Sequence, residues 1–232
     1  MIKWLCSGYQ ITMAKKVLEL FAGSRSVGKV AEELGYEVFS VDINDFEGID
    51  YATNILDFDY KRLPFKPDII WASPPCTHFS VTQIGRNWNY DNTPKTEGAK
   101  LGIKLVAKTL EIIKKLKPKF YYIENPRGKL RKLDIMKGLP RTTVWYCRYG
   151  DSAAKPTDIW SNNIYSLFNI NGWSNRAECF NGNIKCHHDK QPRGYTAKKE
   201  SGALGKGTQG KKDNYERSKI PYELCKEILL SL

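Results

Sequence analysis

Short apolar runs alternate with segments of helix-like spacing along the first two thirds of the chain. The apolar runs predict strands over residues 16–21, 37–41, 68–72, 119–123, 142–149 and 158–161. The helix-like spacing predicts helices over 27–34, 98–116 and 222–232. Because strands and helices alternate, we predict an α/β protein with a doubly wound sheet.

The pattern changes after Asn162, where apolar periodicity fades. From Arg176 to Lys219 there are eleven Lys or Arg residues against five Asp or Glu, and five glycines lie between Gly194 and Gly210. We therefore predict a main domain over 1–161, a small loop-rich basic insert over 162–212, and a C-terminal helical segment over 213–232 that returns to the main domain.

Composition narrows the class of partner. The 232 residues carry a formal net charge of +12, which favours nucleic acid first and an anionic membrane second, although charge that serves only solubility is an equal alternative. No apolar run approaches the ~20 residues that span a bilayer, and the N-terminus lacks the apolar core of a secretory signal. The six cysteines are scattered, which favours a reducing, intracellular compartment.

Polar or reactive residues end three of the predicted strands. These ends are residues 21–23 (Phe-Ala-Gly), 73–76 (Ser-Pro-Pro-Cys) and 124–126 (Glu-Asn-Pro). Ligands of open α/β sheets bind beyond the carboxyl ends of the strands, so we expect these three segments to form one site.

The first strand end has the pattern of a nucleotide site. Gly23 would let the backbone pass close to a ligand, and Asp42 ends the next strand, where a carboxylate suits two ribose hydroxyls. The alternative is an ordinary tight turn with an incidental aspartate.

The other two strand ends carry candidate chemistry. Two prolines hold Cys76 rigidly, and an ionised thiol is a strong nucleophile; the alternative is a buried structural cysteine. Glu124 follows an apolar strand, where a raised pKa would let it donate a proton; the alternative is a turn-capping glutamate or a pair with Arg127.

Four segments carry motifs in a characteristic order. They are VLELFAGSRSVG followed by VD, DIIWASPPCTHFS, KPKFYYIENP, and YG followed by KPTDIW. In order and spacing they resemble the cytosine-5 DNA methyltransferases, over residues 17–161 and again at the C-terminal helix. The cysteine after Ser-Pro-Pro is specific, since amino-methylating enzymes carry an aromatic residue there.

The resemblance implies a Rossmann-like fold that uses S-adenosyl-L-methionine to methylate C5 of a flipped-out cytosine in DNA. Cys76 would add to C6, Glu124 would hold or protonate N3, and Lys155 would contact the base. Residues 80–96, with Arg86, Trp88 and Tyr90, resemble the mobile loop that closes over the base. The implied cofactor contacts are Phe21, Ala22, Gly23, Ser24, Asp42, Ile43, Asn54, Ile55, Pro74, Leu105 and Ser218.

This chain departs from the family pattern at four places. The glycine-rich turn reads Gly-Ser-Arg-Ser, and Asn54 stands where an aspartate is usual. The Gln-x-Arg-x-Arg motif is reduced to Ala153, Lys155 and Thr157, so a threonine replaces the arginine that normally faces the cytosine. Ser218 replaces the asparagine of the closing motif.

The basic insert is the predicted target-recognition region, and a disordered basic loop is the alternative. Its predicted phosphate contacts are Arg193, Lys198, Lys199, Lys206, Lys211 and Lys212. Cys179, Cys186, His187 and His188 could bind zinc, but their spacing is not that of a standard knuckle, and we expect no metal.

We expect a monomer that acts on duplex DNA and does not bind a membrane. We expect it in the cytoplasm of a bacterial or phage-infected cell, where it would serve restriction–modification or phage self-protection. Two alternatives stay open. One is an RNA cytosine-5 methyltransferase, or an enzyme that acts on a free deoxycytidine nucleotide, although the basic insert speaks against the latter. The other is a methyltransferase-like nucleic-acid-binding protein without turnover.

Overall fold

A computed structural model describes residues 14–151, 153–179 and 214–232. Its centre is a seven-stranded sheet with the order β3-β2-β1-β4-β5-β7-β6. The strands are β1 Lys16–Leu20, β2 Glu37–Asp42, β3 Tyr51–Ala52, β4 Ile69–Ala72, β5 Phe120–Pro126, β6 Arg141–Trp145 and β7 Pro156–Ser161. The helices are α1 Ser26–Glu33, α2 Ile84–Asn87, α3 Glu97–Leu116, α4 Asn214–Ser218 and α5 Tyr222–Leu230. Strands β1 to β5 pair in parallel, and β7 is antiparallel to both β5 and β6.

The two faces of the sheet bury different helices. Val17, Trp71 and Tyr122 point to the face that α1 and α5 cover. The neighbouring residues Leu18 and Ile70 point to the opposite face, which α3 covers. Because successive strand residues alternate between faces and both are buried, the strands are apolar almost throughout. The result is the predicted three-layer α/β architecture.

The local signals of α3 account for its length. The Thr96 side chain accepts a hydrogen bond from the Ala99 N–H (3.2 Å) and so caps the first turn. Lys117 adopts a left-handed conformation (φ 49°) at the other end, and Pro118 follows it. A left-handed residue followed by proline stops a helix, and the predicted helix over 98–116 is confirmed with one more residue at its start.

The C-terminal segment and the residues after β7 pack on the same face. Helix α5 contributes Leu224, Ile228 and Leu229 to the core that it shares with α1. Trp173 is buried in this core and its indole N–H donates to Glu227 (3.2 Å). Helix α5 and Trp173 therefore lie in one core with α1, whereas the division into domains stays a prediction.

The structure differs from the sequence prediction in its smaller elements. The predicted strand over 142–149 is β6 only as far as Trp145, and Tyr146–Tyr149 form a 3-10 turn that ends at Gly150 (φ 89°). Apolar residues continue through this turn because Tyr146, Cys147 and Tyr149 are buried in it, which mimics a strand. The short elements β3, α2 and α4 were not predicted, since runs of two to five residues carry no periodicity.

Several sequence predictions concern residues outside the described ranges. These are the phosphate contacts Arg193, Lys198, Lys199, Lys206, Lys211 and Lys212, and the possible zinc ligands Cys186, His187 and His188. Among the described helices, none has the length and apolar character needed to cross a bilayer.

A buried ion pair joins β7 to the segment after β5. Asp158 is fully buried, and its carboxylate accepts hydrogen bonds from Arg131 Nε (2.8 Å) and from the Thr143 hydroxyl (2.8 Å). Arg131 also contacts Asp158 through Nη2. A buried carboxylate left without its cation is strongly destabilising, so this pair holds the reversed strand in place.

We expect Arg131→Leu to lower the free energy of unfolding by about 3 kcal/mol, because it leaves the Asp158 charge buried and uncompensated. Lys100→Leu is the control, since Lys100 pairs with Glu97 at an exposed site on α3 and should cost less than about 0.5 kcal/mol. Urea denaturation measures both. A similar loss in the two variants would contradict a special role for the buried pair.

Candidate active site

The register of the parallel strands brings four strand ends to one level. Leu20 pairs with Val41 on one side and with Ala72 on the other, and Ala72 pairs with Ile123. One residue further along the chain, the strands carry side chains that also share one level. These are Asp42 after Val41, Phe21 after Leu20, Ser73 after Ala72 and Glu124 after Ile123. Since neighbouring strands lie about 4.8 Å apart, these residues line a single short edge.

The turn after β1 has the backbone of a ligand-binding turn. Phe21 and Gly23 both have positive φ angles, 57° and 49°, and a phenylalanine in this region is strained. The Gly23 N–H donates to Asp42 Oδ2 (3.0 Å), which ties the turn to the end of β2. Strain of this kind collects at binding sites, and the predicted cofactor residues Phe21, Ala22, Gly23 and Asp42 lie together.

Asp42 keeps capacity for a ligand. Its Oδ2 accepts from Gly23, and its Oδ1 accepts from the Asn44 N–H (2.9 Å) and from Asn44 Nδ2 (3.3 Å). An ionised carboxylate has about four acceptor positions, so Oδ2 is the oxygen with room for a ligand. The next residue, Ile43, is 67% exposed, which is unusual for isoleucine and leaves an apolar surface beside the turn.

Three further predicted cofactor residues, Asn54, Ile55 and Leu105, differ in which of their groups a ligand could contact. Asn54 caps a 3-10 turn, and its side-chain oxygen accepts from the Leu56 N–H (3.1 Å). The Ile55 side chain is buried in the core cluster on the α3 face, and Leu105 of α3 packs against that cluster. Ile55 therefore offers a ligand mainly its backbone.

The unusual Arg25 of the turn points away from the cofactor side. Its Nε donates to the Ser40 hydroxyl (3.1 Å), and its guanidinium pairs with Glu32. A β-carbon on Gly48 would meet the Arg25 side chain at 2.7 Å, so Gly48 makes room for it. Arg25 therefore anchors the turn to β2 and α1.

A buried carboxyl lies beneath the same turn. Glu19 of β1 accepts hydrogen bonds from the Val27 N–H (3.1 Å) and from the Ser40 hydroxyl (3.1 Å), at the first turn of α1. A β-carbon on Gly28 would lie 2.5 Å from Glu19 Oε2, so this glycine admits the carboxyl. Burial outweighs these hydrogen bonds and the charge of Arg25, and it raises the pKa of Glu19 to about 7.

The C-terminal segment borders the turn on its open side. Ser26 Oγ accepts from the Ile220 N–H (3.1 Å) and lies 2.8 Å from the buried Ser24 Oγ. A β-carbon on Gly23 would be 3.6 Å from Ser218 Oγ. The predicted cofactor residues Ser24 and Ser218 therefore lie at the turn, although 194 residues separate Ser26 from Ile220.

The Ser-Pro-Pro-Cys segment is held by hydrogen bonds from its neighbours. Asn125 Nδ2 donates to the buried Pro74 carbonyl (2.8 Å), and Trp71 Nε1 donates to Ser73 Oγ (3.1 Å). The Cys76 carbonyl accepts from the Phe79 and Ser80 N–H groups, which turns the chain directly after the cysteine. Cys76 is half-buried, so its thiol is positioned and still accessible.

Glu124 is a buried carboxyl on the α1 and α5 face. It is 5% exposed, and Tyr146 donates a hydrogen bond from its hydroxyl to Oε1 (2.9 Å). Desolvation raises the pKa of Glu124, while the positive charge of Lys155 and hydrogen bonds from Tyr146 and Ser73 lower it in part. The net effect is a raised pKa, which favours the protonated form of Glu124, the form that can donate a proton.

Lys155 and Thr157 both lie against Tyr146. Lys155 has a strained backbone (φ 25°), its Nζ lies 4.5 Å from the centre of the Tyr146 ring, and its charge acts on Glu124. Thr157 is fully buried in β7 and also hydrogen bonds to Tyr146. Lys155 therefore lies close enough to Glu124 for its charge to act on that carboxyl, and its contact with the base stays a prediction.

The segment over 80–96 is packed against the body of the protein. Trp88 is 2% exposed, stacks on Phe79 with 5.8 Å between ring centres, and donates to the His78 carbonyl (2.7 Å). Lys129 donates to Asn92 (2.8 Å). Arg86 and Tyr90 are exposed. Trp88 thus serves as an anchor, and of the three residues named from this segment, Arg86 and Tyr90 are the ones available to a ligand.

Sequence reasoning missed two residues of this site. Tyr146 lay within a predicted strand and in no motif, so only the fold reveals its contact with Glu124. Glu19 had a signal, a carboxylate inside the apolar run of β1, where an ionisable residue is rare unless it has partners.

No cluster of metal-binding side chains lies within residues 14–151, 153–179 and 214–232. Cys179 is buried beside Trp145 and Cys147.

The order of the sheet, its one reversed strand and the turn over residues 21–24 after β1, called here the cofactor-type turn, define a Rossmann-like methyltransferase. A family model for C-5 cytosine-specific DNA methylases matches residues 16–135. A probable DNA (cytosine-5)-methyltransferase of Frog virus 3 (isolate Goorha) is 34% identical over 155 residues, which are 63% of this chain and 70% of the relative. The chain belongs to the C-5 cytosine-specific DNA methylase family, whose activity is methyl transfer to C5 of cytosine in DNA and whose methyl donor is S-adenosyl-L-methionine.

Solved structures are more distant. The Entamoeba histolytica methyltransferase EhMeth aligns with a TM-score of 0.47 and 13% identity, over 65% of this chain and 53% of that one. A Spodoptera frugiperda DNMT2 mutant aligns with a TM-score of 0.43 and 18% identity, over 71% of this chain and 55% of that one. The chain spans about half the length of these two proteins.

The stability of the protein should depend on the protonation of Glu19. The folded state binds this proton more tightly than the unfolded state, since the pKa rises from 4.5 to about 7 on folding. Stability from this group is therefore full below about pH 4.5 and is lost as the pH rises to about 7. The whole change is at most about 3 kcal/mol.

Glu19→Gln should flatten this dependence, because the amide keeps an oxygen for the Val27 N–H but does not titrate. Urea denaturation from pH 5 to 8 measures the difference. Glu37→Gln is the control, since Glu37 is exposed at the start of β2. Parallel pH profiles for the wild-type protein and Glu19→Gln would contradict the assignment.

Proposed function

We propose that this chain methylates C5 of a flipped-out cytosine in DNA through a covalent adduct with Cys76. The observation that carries the proposal is the shared level of the four strand ends, which lines up the cofactor-type turn, the Ser-Pro-Pro-Cys segment and Glu124. A nucleophile, a proton donor and a place for a methyl donor are the three things this reaction needs.

The reaction uses the chain's own groups as follows. The ionised Cys76 thiol adds to C6 of the cytosine while Glu124 holds or protonates N3, so the electrons that leave the C5–C6 bond make C5 nucleophilic. S-adenosyl-L-methionine, when bound, supplies an electrophilic methyl group to C5. Loss of the C5 proton and departure of the Cys76 sulfur then restore the aromatic ring. Lys155 contacts the base and balances charge near Glu124.

The cofactor fits the residues at the turn. Asp42 would accept hydrogen bonds from the ribose hydroxyls, and Ile43 and Leu105 would provide apolar contact. Phe21, Ala22, Gly23, Ser24 and Ser218 line the turn, Asn54 and Ile55 border its far side, and Pro74 lies on the side of the nucleophile.

Asp42→Ala should weaken binding of S-adenosyl-L-methionine at least about tenfold, because a charged acceptor for two hydroxyls is removed. Isothermal titration calorimetry measures the affinity. Asp59→Ala is the control, since the Asp59 carboxylate is exposed and accepts only a local hydrogen bond, from the Lys61 N–H of a 3-10 turn (3.0 Å). Equal affinities in the two variants would remove Asp42 from the cofactor site.

The substrate is duplex DNA, from which the target cytosine must leave the stack because C6 is inaccessible inside it. The predicted insert over 162–212 would recognise the target, between the catalytic region over 1–161 and the returning segment over 213–232. The net charge of +12 supports a polyanionic partner. A monomer in the cytoplasm of a bacterial or phage-infected cell, and a role in restriction–modification or phage self-protection, stay predictions.

Cys76→Ser should abolish methyl transfer while cofactor binding stays, because a serine hydroxyl is a poor nucleophile at neutral pH. The assay measures label transferred from S-adenosyl-L-methionine to duplex DNA, RNA or dCMP. With DNA that contains 5-fluorocytosine, the wild-type protein should form a covalent adduct at Cys76.

Cys147→Ser is the matched control, since Cys147 is a buried cysteine in a separate cluster with Trp145 and Cys179. It should retain transfer. Transfer to RNA instead of DNA would favour the RNA alternative, and neither transfer nor adduct on any substrate would overturn the proposed enzyme activity.

A further inference from the structure

Tyr146 makes a direct contact with the proposed proton donor. It is fully buried, and its hydroxyl donates to Glu124 Oε1 at 2.9 Å. Tyr146 begins the 3-10 turn after β6, whereas Glu124 lies in β5, and β7 separates these strands in the sheet. The hydroxyl thus reaches across the reversed strand to the carboxyl.

The surroundings fix the Tyr146 ring in this position. Its backbone N–H donates to the Ala154 carbonyl (3.0 Å), which closes the loop between β6 and β7. Lys155 Nζ lies 4.5 Å from the ring centre, and Thr157 hydrogen bonds to the tyrosine side chain. A ring held by a backbone bond, a cation and a hydroxyl is preorganised for one contact.

Thr157 is the position at which the resemblance places an arginine. Here its short side chain is buried in β7 and engages the Tyr146 hydroxyl and the Lys155 carbonyl (3.1 Å). The donor that meets the Glu124 carboxyl is instead the phenol of Tyr146, and the positive charge comes from Lys155. Tyr146 therefore supplies the hydrogen bond to Glu124, and Lys155 supplies the positive charge.

We propose that Tyr146 is a positioning residue for Glu124: its hydroxyl holds Oε1, so that the proton of the carboxyl lies on Oε2 and is available to N3 of the cytosine. This inference rests on the proposed function, because it assigns the orientation of a group in that reaction. Without the hydroxyl, Oε1 loses its donor from Tyr146, and only Ser73 and Lys155 remain to orient the carboxyl.

The titration of Glu124 depends on the charged and titratable groups that face it. Within the part of the chain that the structure describes, these include Tyr146, Lys155, Asp158 and Cys225. The hydrogen bond from Tyr146 favours the ionised carboxylate, so its removal raises the pKa of Glu124 further. Lys155, Asp158 and Cys225 keep their charges when Tyr146 is substituted. A higher pKa of Glu124 in the variant would therefore report the loss of the Tyr146 hydrogen bond.

The test is Tyr146→Phe, which removes only the hydroxyl. We expect kcat to fall about tenfold to a hundredfold, the size of a lost hydrogen bond to a charged group, while KM for DNA and for S-adenosyl-L-methionine changes less than about twofold. The pH at which kcat falls because Glu124 loses its proton should move upward. Tyr122→Phe is the matched control, because Tyr122 is equally buried and its hydroxyl accepts from Asn163 (3.0 Å).

A second measurement does not require turnover. In protein labelled with carbon-13 at the glutamate carboxyl, the Glu124 resonance is the one lost in Glu124→Gln. Its titration midpoint should rise in Tyr146→Phe and stay unchanged in Tyr122→Phe. An unchanged midpoint in Tyr146→Phe would overturn the inference even if the enzyme is active. A raised midpoint in a protein without transfer on any substrate would instead overturn the proposed function and leave the contact established.

Discussion

The parallel pairing of β1, β2, β4 and β5 in one register is the constraint on which the site depends. Leu20, Ala72 and Ile123 are aligned across three strands, so the residues that follow them must lie at one edge. Burial of apolar side chains on both faces selects this register, and the backbone ladder then aligns the strand ends. A slip of one residue in β5 would turn Glu124 to the opposite face of the sheet.

Burial then raises the pKa of two carboxyls beside these strand ends. Glu19 and Glu124 are both buried on the face that α1 and α5 cover, and burial raises the pKa of each. Their partners differ in kind: backbone N–H groups of α1 surround Glu19, whereas Tyr146, Ser73 and Lys155 surround Glu124. One carboxyl thus supports the cofactor-type turn and the other faces the proposed chemistry.

The C-terminal segment completes the site from far along the chain. Helix α5 shares a core with α1, and the residues before it lie beside the turn, with Ile220 bonded to Ser26. Tyr215 of α4 packs edge-on against Phe46, 6.0 Å between ring centres. Trp88 anchors the segment that follows Cys76 through its bond to the His78 carbonyl, so residues outside the sheet hold both the turn after β1 and the chain after the cysteine.

The sequence by itself determined the α/β class and the main strands and helices, because periodicity is a local property. From motifs at the strand ends it also predicted the turn after β1, Cys76 and Glu124 as site residues. It also predicted that Ser218 belongs to the site, through resemblance and not through any local signal. Only the tertiary structure decided that Arg25 points away from the turn, that Trp88 is an anchor, and that Tyr146 meets Glu124. These contacts join segments whose neighbours are set by packing across the sheet, and no pattern along the chain encodes which side chain fills a given space there.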